Sequence, residues 1–309
     1  MQTTLQDHET IEAVEQKLRT ILPEEYQDCY EDVRPVSMGS APLKYLTNGM
    51  VAWNQIWSTF CDLAMAGGPP HKGTFLEPGT GADIAAHPAS YRQVVEEICS
   101  GIAMAAGLKA EASANPGWVR VECHSSGMAG WLVRAIVMEN ISARCDGTGL
   151  ELPAGPHFRV QKEIKNVITA IAKTCHYWEG HMGEPQRREI SSLLGWMWVE
   201  SPLLSPLQLG VAFEDDRYQQ LRRKIGDAVG GATGLQISHH RYADWLSFDC
   251  RNIRAAIWMM RALVVSNVLS RREGTALFVP VNPESDPIGE RVVQSVVRIH
   301  GFAARRGIL

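Results

Sequence analysis

Cys123 and Cys250 stand at corresponding places in the chain, each where a strand-like run gives way to a helix-like one. The unpaired N–H groups of a helix start lower a thiol's pKa and make thiolate more available. If two such thiols face one another, one can remove a proton while the other returns it. That is isomerase, racemase or epimerase chemistry on a small polar metabolite. The alternative is structural, since cysteine is also a small residue that buries well at a strand end.

Histidines open a second line of chemistry. The run TCHYWEGHMGEP places Cys175, His176, Glu179 and His181 just after a predicted helix. The run ISHHRYADW places His239, His240 and Asp244 at a predicted strand edge. His239 and His240 are candidate proton carriers beside the thiols. Together with His176 and His181 they are also an alternative divalent-metal set, of the imidazole, thiol and carboxylate kind that suits zinc or iron. The spacings match no standard metal motif, so the signal is weak, and a solvated polar loop accounts for them without a metal.

Arg144 and Arg271 are candidate anion clamps for a substrate carboxylate or phosphate. Arg134 and Arg261 lie on apolar helices and need a carboxylate or a backbone acceptor; Glu122 and Asp249 are the carboxylates expected for these arginines. His71 and Lys72 sit at the tip of the loop AGGPPHKGT and are further substrate-binding candidates. The stretch GTFLEPGTGADIAAH, from Gly73 to His87, has the strand–glycine–helix order of nucleotide and S-adenosylmethionine sites. Corresponding places elsewhere read LELPAGP and LFVPVNPE, so a plain connecting loop is expected and S-adenosylmethionine is disfavoured.

These residues are arranged by a repeat. Residues 107–156 align without a gap to residues 234–283, always 127 positions apart, and sixteen of the fifty positions are identical. Ordinary composition would give roughly three matches by chance. The matches include Trp118/Trp245, Cys123/Cys250, Trp131/Trp258, Arg134/Arg261, Asn140/Asn267, Arg144/Arg271 and Pro153/Pro280. The reading is an internal duplication with pseudo-twofold symmetry, built from as many as four helix–strand–helix units. It divides the chain into an N-terminal helical extension (1–45), a first half (46–182) and a second half (183–309), with a ligand cleft expected between the halves.

Helices are predicted at 8–21, 49–66, 84–106, 126–140, 159–177, 186–200, 216–229, 252–269 and 289–305. Strands are predicted at 73–77, 108–113, 118–123, 141–145, 148–153, 207–213, 235–239, 245–249 and 275–281. The fold class is therefore α/β or α+β, helices on a mixed sheet. Trp53, Trp57, Trp131, Trp196, Trp198 and Trp258 read as core.

The chain of 309 residues is 45% apolar and 21% charged, as a folded globular protein is. Its formal charge of -4 gives no basic excess for a phosphate backbone, so nucleic acid is not expected as a partner. The first residues lack a signal-peptide pattern, the longest apolar stretch carries Arg254, Arg261 and Asn267, and the seven cysteines form no CxxC pair. A cytoplasmic protein with no membrane partner is the expectation. Three functions stay open: an enzyme on a small polar metabolite, a metal- or cofactor-binding protein, and a structural protein that assembles as a homo-oligomer.

Overall fold

The computed structural model describes residues 9–27, 42–56, 62–207, 216–240 and 242–309. The chain divides into two compact units, one of Val33–Gly195 and one of Met1–Asp32 with Trp196–Leu309. Each is described by itself.

In the first of these units, helices α2 (Gly81–Ala86) and α3 (Pro88–Ala106) precede strands β1 (Lys109–Ala112) and β2 (Trp118–Glu122). Helix α4 (Ser126–Met138), strands β3 (Arg144–Asp146) and β4 (Gly149–Pro153) and helix α5 (Lys165–His176) follow, and helix α6 (Glu184–Glu200) begins in this unit and ends in the other. The second unit contains α1 (Ile11–Ile21), α7 (Asp216–Thr233), β5 (Gln236–Ile237), β6 (Trp245–Asp249), α8 (Ile253–Val265), β7 (Arg271–Glu273), β8 (Ala276–Pro280) and α9 (Glu290–Arg305). The class is mixed helix and sheet, as expected. The sheets themselves are not mixed: their strand orders are β1-β2-β4-β3 and β5-β6-β8-β7, antiparallel throughout. Among the described residues, parallel pairing is confined to the isolated bridges Leu76↔Ile141 and Leu204↔Val268.

The two sheets correspond pair by pair at the spacing of the sequence repeat. Trp118 faces Pro153 as Trp245 faces Pro280, and Cys145 faces Leu150 as Arg272 faces Leu277. Helix starts correspond too. The Ser125 hydroxyl accepts from the Met128 N–H, and the Asn252 side-chain carbonyl accepts from the Ala255 N–H, each occupying one orphan donor of its helix. Both helices end on an asparagine in the left-handed region, Asn140 at φ 62 and Asn267 at φ 64. Their carbonyls then accept from Leu76 and Leu204 N–H groups at 2.9 Å, which ties an upstream segment to the end of each helix.

Helices α4 and α8 are buried around nearly their whole circumference, which is why they read as continuous apolar runs and not as amphipathic stripes. Trp53, Trp131 and Trp258 are core, as expected. Trp196 and Trp198 are not: they are 54% and 53% exposed. The buried stripe of α6 runs through Ile190, Leu194 and Met197, and positions 196 and 198 fall off it. Trp57 lies outside the described residues.

Some predicted elements differ. The helix expected at 49–66 is replaced by two single 3-10 turns, Trp53–Gln55 and Ala64–Ala66, with 57–61 outside the described residues. The strand expected at 73–77 is reduced to the Leu76 bridge, and most of the one expected at 207–213 lies outside the described residues. Pro88 divides the helix expected at 84–106, because it opens α3 as an N1 proline.

The glycine stretch has a packing explanation. Thr80 caps α2 through the Asp83 N–H. A Cβ on Gly79 would meet the Gly155 Cα at 2.8 Å, and one on Gly117, whose φ is 93, would meet the Gly79 carbonyl oxygen at 2.8 Å. The glycines let three backbone segments touch. Gly117→Ala is expected to lower stability by about 1–3 kcal/mol through strain and crowding. A urea-unfolding midpoint equal to wild type would contradict this packing role.

Candidate functional site

Each unit carries an arginine–carboxylate pair on its sheet, and the two pairs are built differently. In the 33–195 unit, Arg144 is the cross-strand partner of Glu151. Its Nε lies 2.5 Å from Glu151 Oε2, and its guanidinium stacks over Trp118 at 4.4 Å. The Ser113 hydroxyl donates to the other oxygen of Glu151.

In the other unit, the cross-strand partner of Arg271 is Phe278. The carboxylate comes instead from Glu273, two residues along the same strand and hence on the same face. Arg271 Nη1 lies 2.8 Å from Glu273 Oε1, and the guanidinium sits 3.8 Å over Phe278 and 4.5 Å over Tyr242. His240, 127 positions after Ser113, takes the place of the hydroxyl. Its Nδ1 stands 3.2 Å from Glu273 Oε2, and its ring meets Phe278 edge-on at 5.8 Å.

The burial of these groups is graded. Arg271 is 0% and Glu273 5% exposed at the side chain, whereas His240 is 46% exposed. A buried carboxylate held by a buried guanidinium thus backs an imidazole open to solvent. With the Nδ1 proton directed at that carboxylate, Nε2 carries the lone pair and can exchange a proton with a bound molecule. His240 also anchors its own loop, its N–H donating to the Ser238 hydroxyl and its carbonyl accepting from the Ser247 hydroxyl, both at 3.3 Å.

The arginine pairings correct the expectation of Glu122 and Asp249. Glu122 instead accepts from the Thr148 hydroxyl, and Arg134 donates to the Gly130 carbonyl at 2.7 Å. Burial lowers the Arg134 pKa to about 10. Sequence reasoning missed Glu151 and Glu273 because they are not repeat-equivalent. The register of the hairpin closed after Asp146 was the available signal, since it sets Arg144 opposite Glu151.

The thiols do not behave as the helix-start argument requires. With caps at Ser125 and Asn252 the helices begin three residues beyond Cys123 and Cys250, whose own N–H groups donate to Thr148 and Thr275 carbonyls. Burial pushes each thiol up to about 12, with Cys145 and Glu122 adding to it at Cys123 and Asp249 at Cys250.

His176 and His181 come together in the 33–195 unit, with Nε2 atoms 3.1 Å apart. His239 is exposed and belongs, with His240, to the other unit. Among the described residues no group of three or more His, Cys, Asp and Glu side chains is placed to hold a metal ion.

His71 joins a second polar cluster. Glu139, 0% exposed, accepts from Lys173 Nζ at 2.7 Å and from the Ala64 and His71 N–H groups at 3.0 and 2.7 Å. His71 Nε2 lies 3.2 Å from Asn166 Oδ1, and the Lys72 carbonyl accepts from Asn140 Nδ2 at 3.1 Å. Burial, reinforced by the nearby Lys173 charge, lowers the His71 pKa from 6.5 to about 4. An unfolded chain therefore binds a proton at His71 that the folded chain refuses between pH 6.5 and 4. Stability from this group is full above pH 6.5 and falls, by about 2–3 kcal/mol, as pH drops to 4. His71→Asn should remove that part of the acid slope in urea unfolding measured between pH 7 and 4; an unchanged slope would contradict it.

Among the described residues no helix is long and apolar enough to cross a membrane. No family model, no curated protein and no solved structure matches this chain.

Proposed function

We propose that the protein is an enzyme acting on a small polar metabolite by proton transfer, with His240 as the acid–base group and Glu273 as the residue that orients it. The observation that carries this reading is the contrast between equivalent places. The 33–195 unit has a serine on its buried carboxylate, and the other unit has a half-exposed histidine. A surface histidine needs no buried carboxylate and guanidinium behind it, whereas a base that must present one nitrogen in one tautomer does.

The reading keeps isomerisation as its narrow form but moves the proton carrier from thiol to imidazole. Thiols held near 12 supply almost no thiolate at neutral pH. Arg271, fully buried and paired, is a support for Glu273 and not a substrate clamp. The net charge of -4 favours a small metabolite over a phosphate backbone as ligand.

Incubating the full chain with a pool of small polar metabolites and following each by mass spectrometry and NMR tests the reading. Conversion of one component, lost in His240→Ala, supports it; a pool left untouched sinks it. The exposed Trp196 and Trp198 favour a second reading, a non-catalytic protein assembling with copies of itself. That reading requires an inert pool and a defined oligomer by light scattering.

A further inference from the structure

We propose that His176 and His181 form a two-imidazole site for a divalent first-row transition metal of the Ni2+, Cu2+ and Zn2+ kind. The site lies in the 33–195 unit and is independent of the His240 chemistry. Helix α5 ends at His176 and continues as a π-helical turn, Tyr177–His181. In an α-helix, residues five apart point to different faces. The i→i+5 hydrogen bonding of a π turn widens the coil and brings such residues onto one face, and turns of this kind recur at functional sites.

The resulting geometry is that of two cis ligands. The Nε2 atoms are 3.1 Å apart, and the rings meet at 4.9 Å and 74°. Nitrogens bound at 2.0–2.1 Å and separated by 90° to 109° at the metal lie roughly 2.9–3.4 Å apart. The two nitrogens, which hydrogen-bond to each other in the ion's absence, are thus already spaced for one ion, and binding replaces that hydrogen bond and its shared proton.

Local contacts hold the pair in place. The His176 ring lies over Gly180, where a Cβ would come within 3.7 Å of its Cε1 and Nδ1. The His181 ring packs on Tyr177 at 4.7 Å. Glu179, on the same turn, faces His124 with its Oε1 3.6 Å from Nδ1, leaving an anionic group at the site's edge. Neutral imidazoles suit borderline cations such as Ni2+, Cu2+ and Zn2+ and not Mg2+. With no third protein ligand of the His, Cys, Asp or Glu kind grouped there among the described residues, water fills the remaining positions.

Calorimetric titration of the metal-free full chain with NiCl2, and separately with ZnCl2, tests the site. One saturable equivalent is expected, weakened at least tenfold in both His176→Ala and His181→Ala and unchanged in the His239→Ala/His240→Ala double variant. Both histidines are exposed, so the single variants should unfold at the wild-type temperature; His181→Gln is the substitute should His181→Ala not. Absence of saturable heat with either ion would overturn the proposal. So would a site that survives both single variants, or one lost in the double variant, which would mark the four-histidine set instead.

Discussion

Glu139→Ala is expected to destabilise the protein by about 3–5 kcal/mol, because it removes the carboxylate from a buried ion pair and leaves the cation inside. Lys173 is 1% exposed and lies 2.7 Å from that carboxylate. The same substitution takes the acceptor from the Ala64 and His71 N–H groups, which pin the 63–72 segment to the end of α4. Lys173→Met should cost less, since Glu139 keeps those two backbone donors. A fall in Tm of roughly 6–20 °C in Glu139→Ala follows for a unit of this size. A fall of only one or two degrees, or a larger loss in Lys173→Met, would contradict the assignment of Glu139 as the anchor.

The second large effect is catalytic. His240→Ala should lower turnover by about 10²- to 10⁴-fold, the range a positioned acid–base group supplies. The residue is half-exposed, so folding should be unaffected. Glu273→Gln keeps the shape but removes the charge that fixes the imidazole, and should lower kcat at least tenfold with KM little changed. Loss of the buried pairing with Arg271 lowers the unfolding midpoint in either case, so the distinguishing result is kcat per folded molecule, which a merely structural role for Glu273 leaves intact.

The correspondence of the two sheets was legible in the sequence because residues 107–156 align with residues 234–283 without a gap. Identities such as Trp118/Trp245 and Pro153/Pro280 mark register pairs of central strands, so matching them aligns whole sheets. The paired asparagines at 140 and 267, both in the left-handed region, are among the same matches. The histidines absent from the other half were likewise visible as an asymmetry.

The site itself was less legible, for a physical reason. Repeat matching finds residues that stay in place, and the essential carboxylate does not. Phe278 occupies the strand position of Glu151, and the charge reappears at Glu273, where side-chain reach and not sequence equivalence restores the pair. Burial was the other hidden variable. It decides the chemistry of Cys123, Cys250 and His71, and no local pattern reports it. The π turn is invisible to a 3.6-residue period, which sets His176 and His181 on different faces.

The most direct test of the acid–base assignment is solvent deuterium uptake. The full chain is incubated in D2O with a pool of small polar metabolites, and mass spectrometry follows carbon-bound deuterium in each. A proton-transfer enzyme labels its substrate even at equilibrium. One metabolite should gain mass with wild type, and at least a hundredfold more slowly with His240→Ala. Labelling that proceeds equally in the variant, or a pool that gains no deuterium at all, would contradict it.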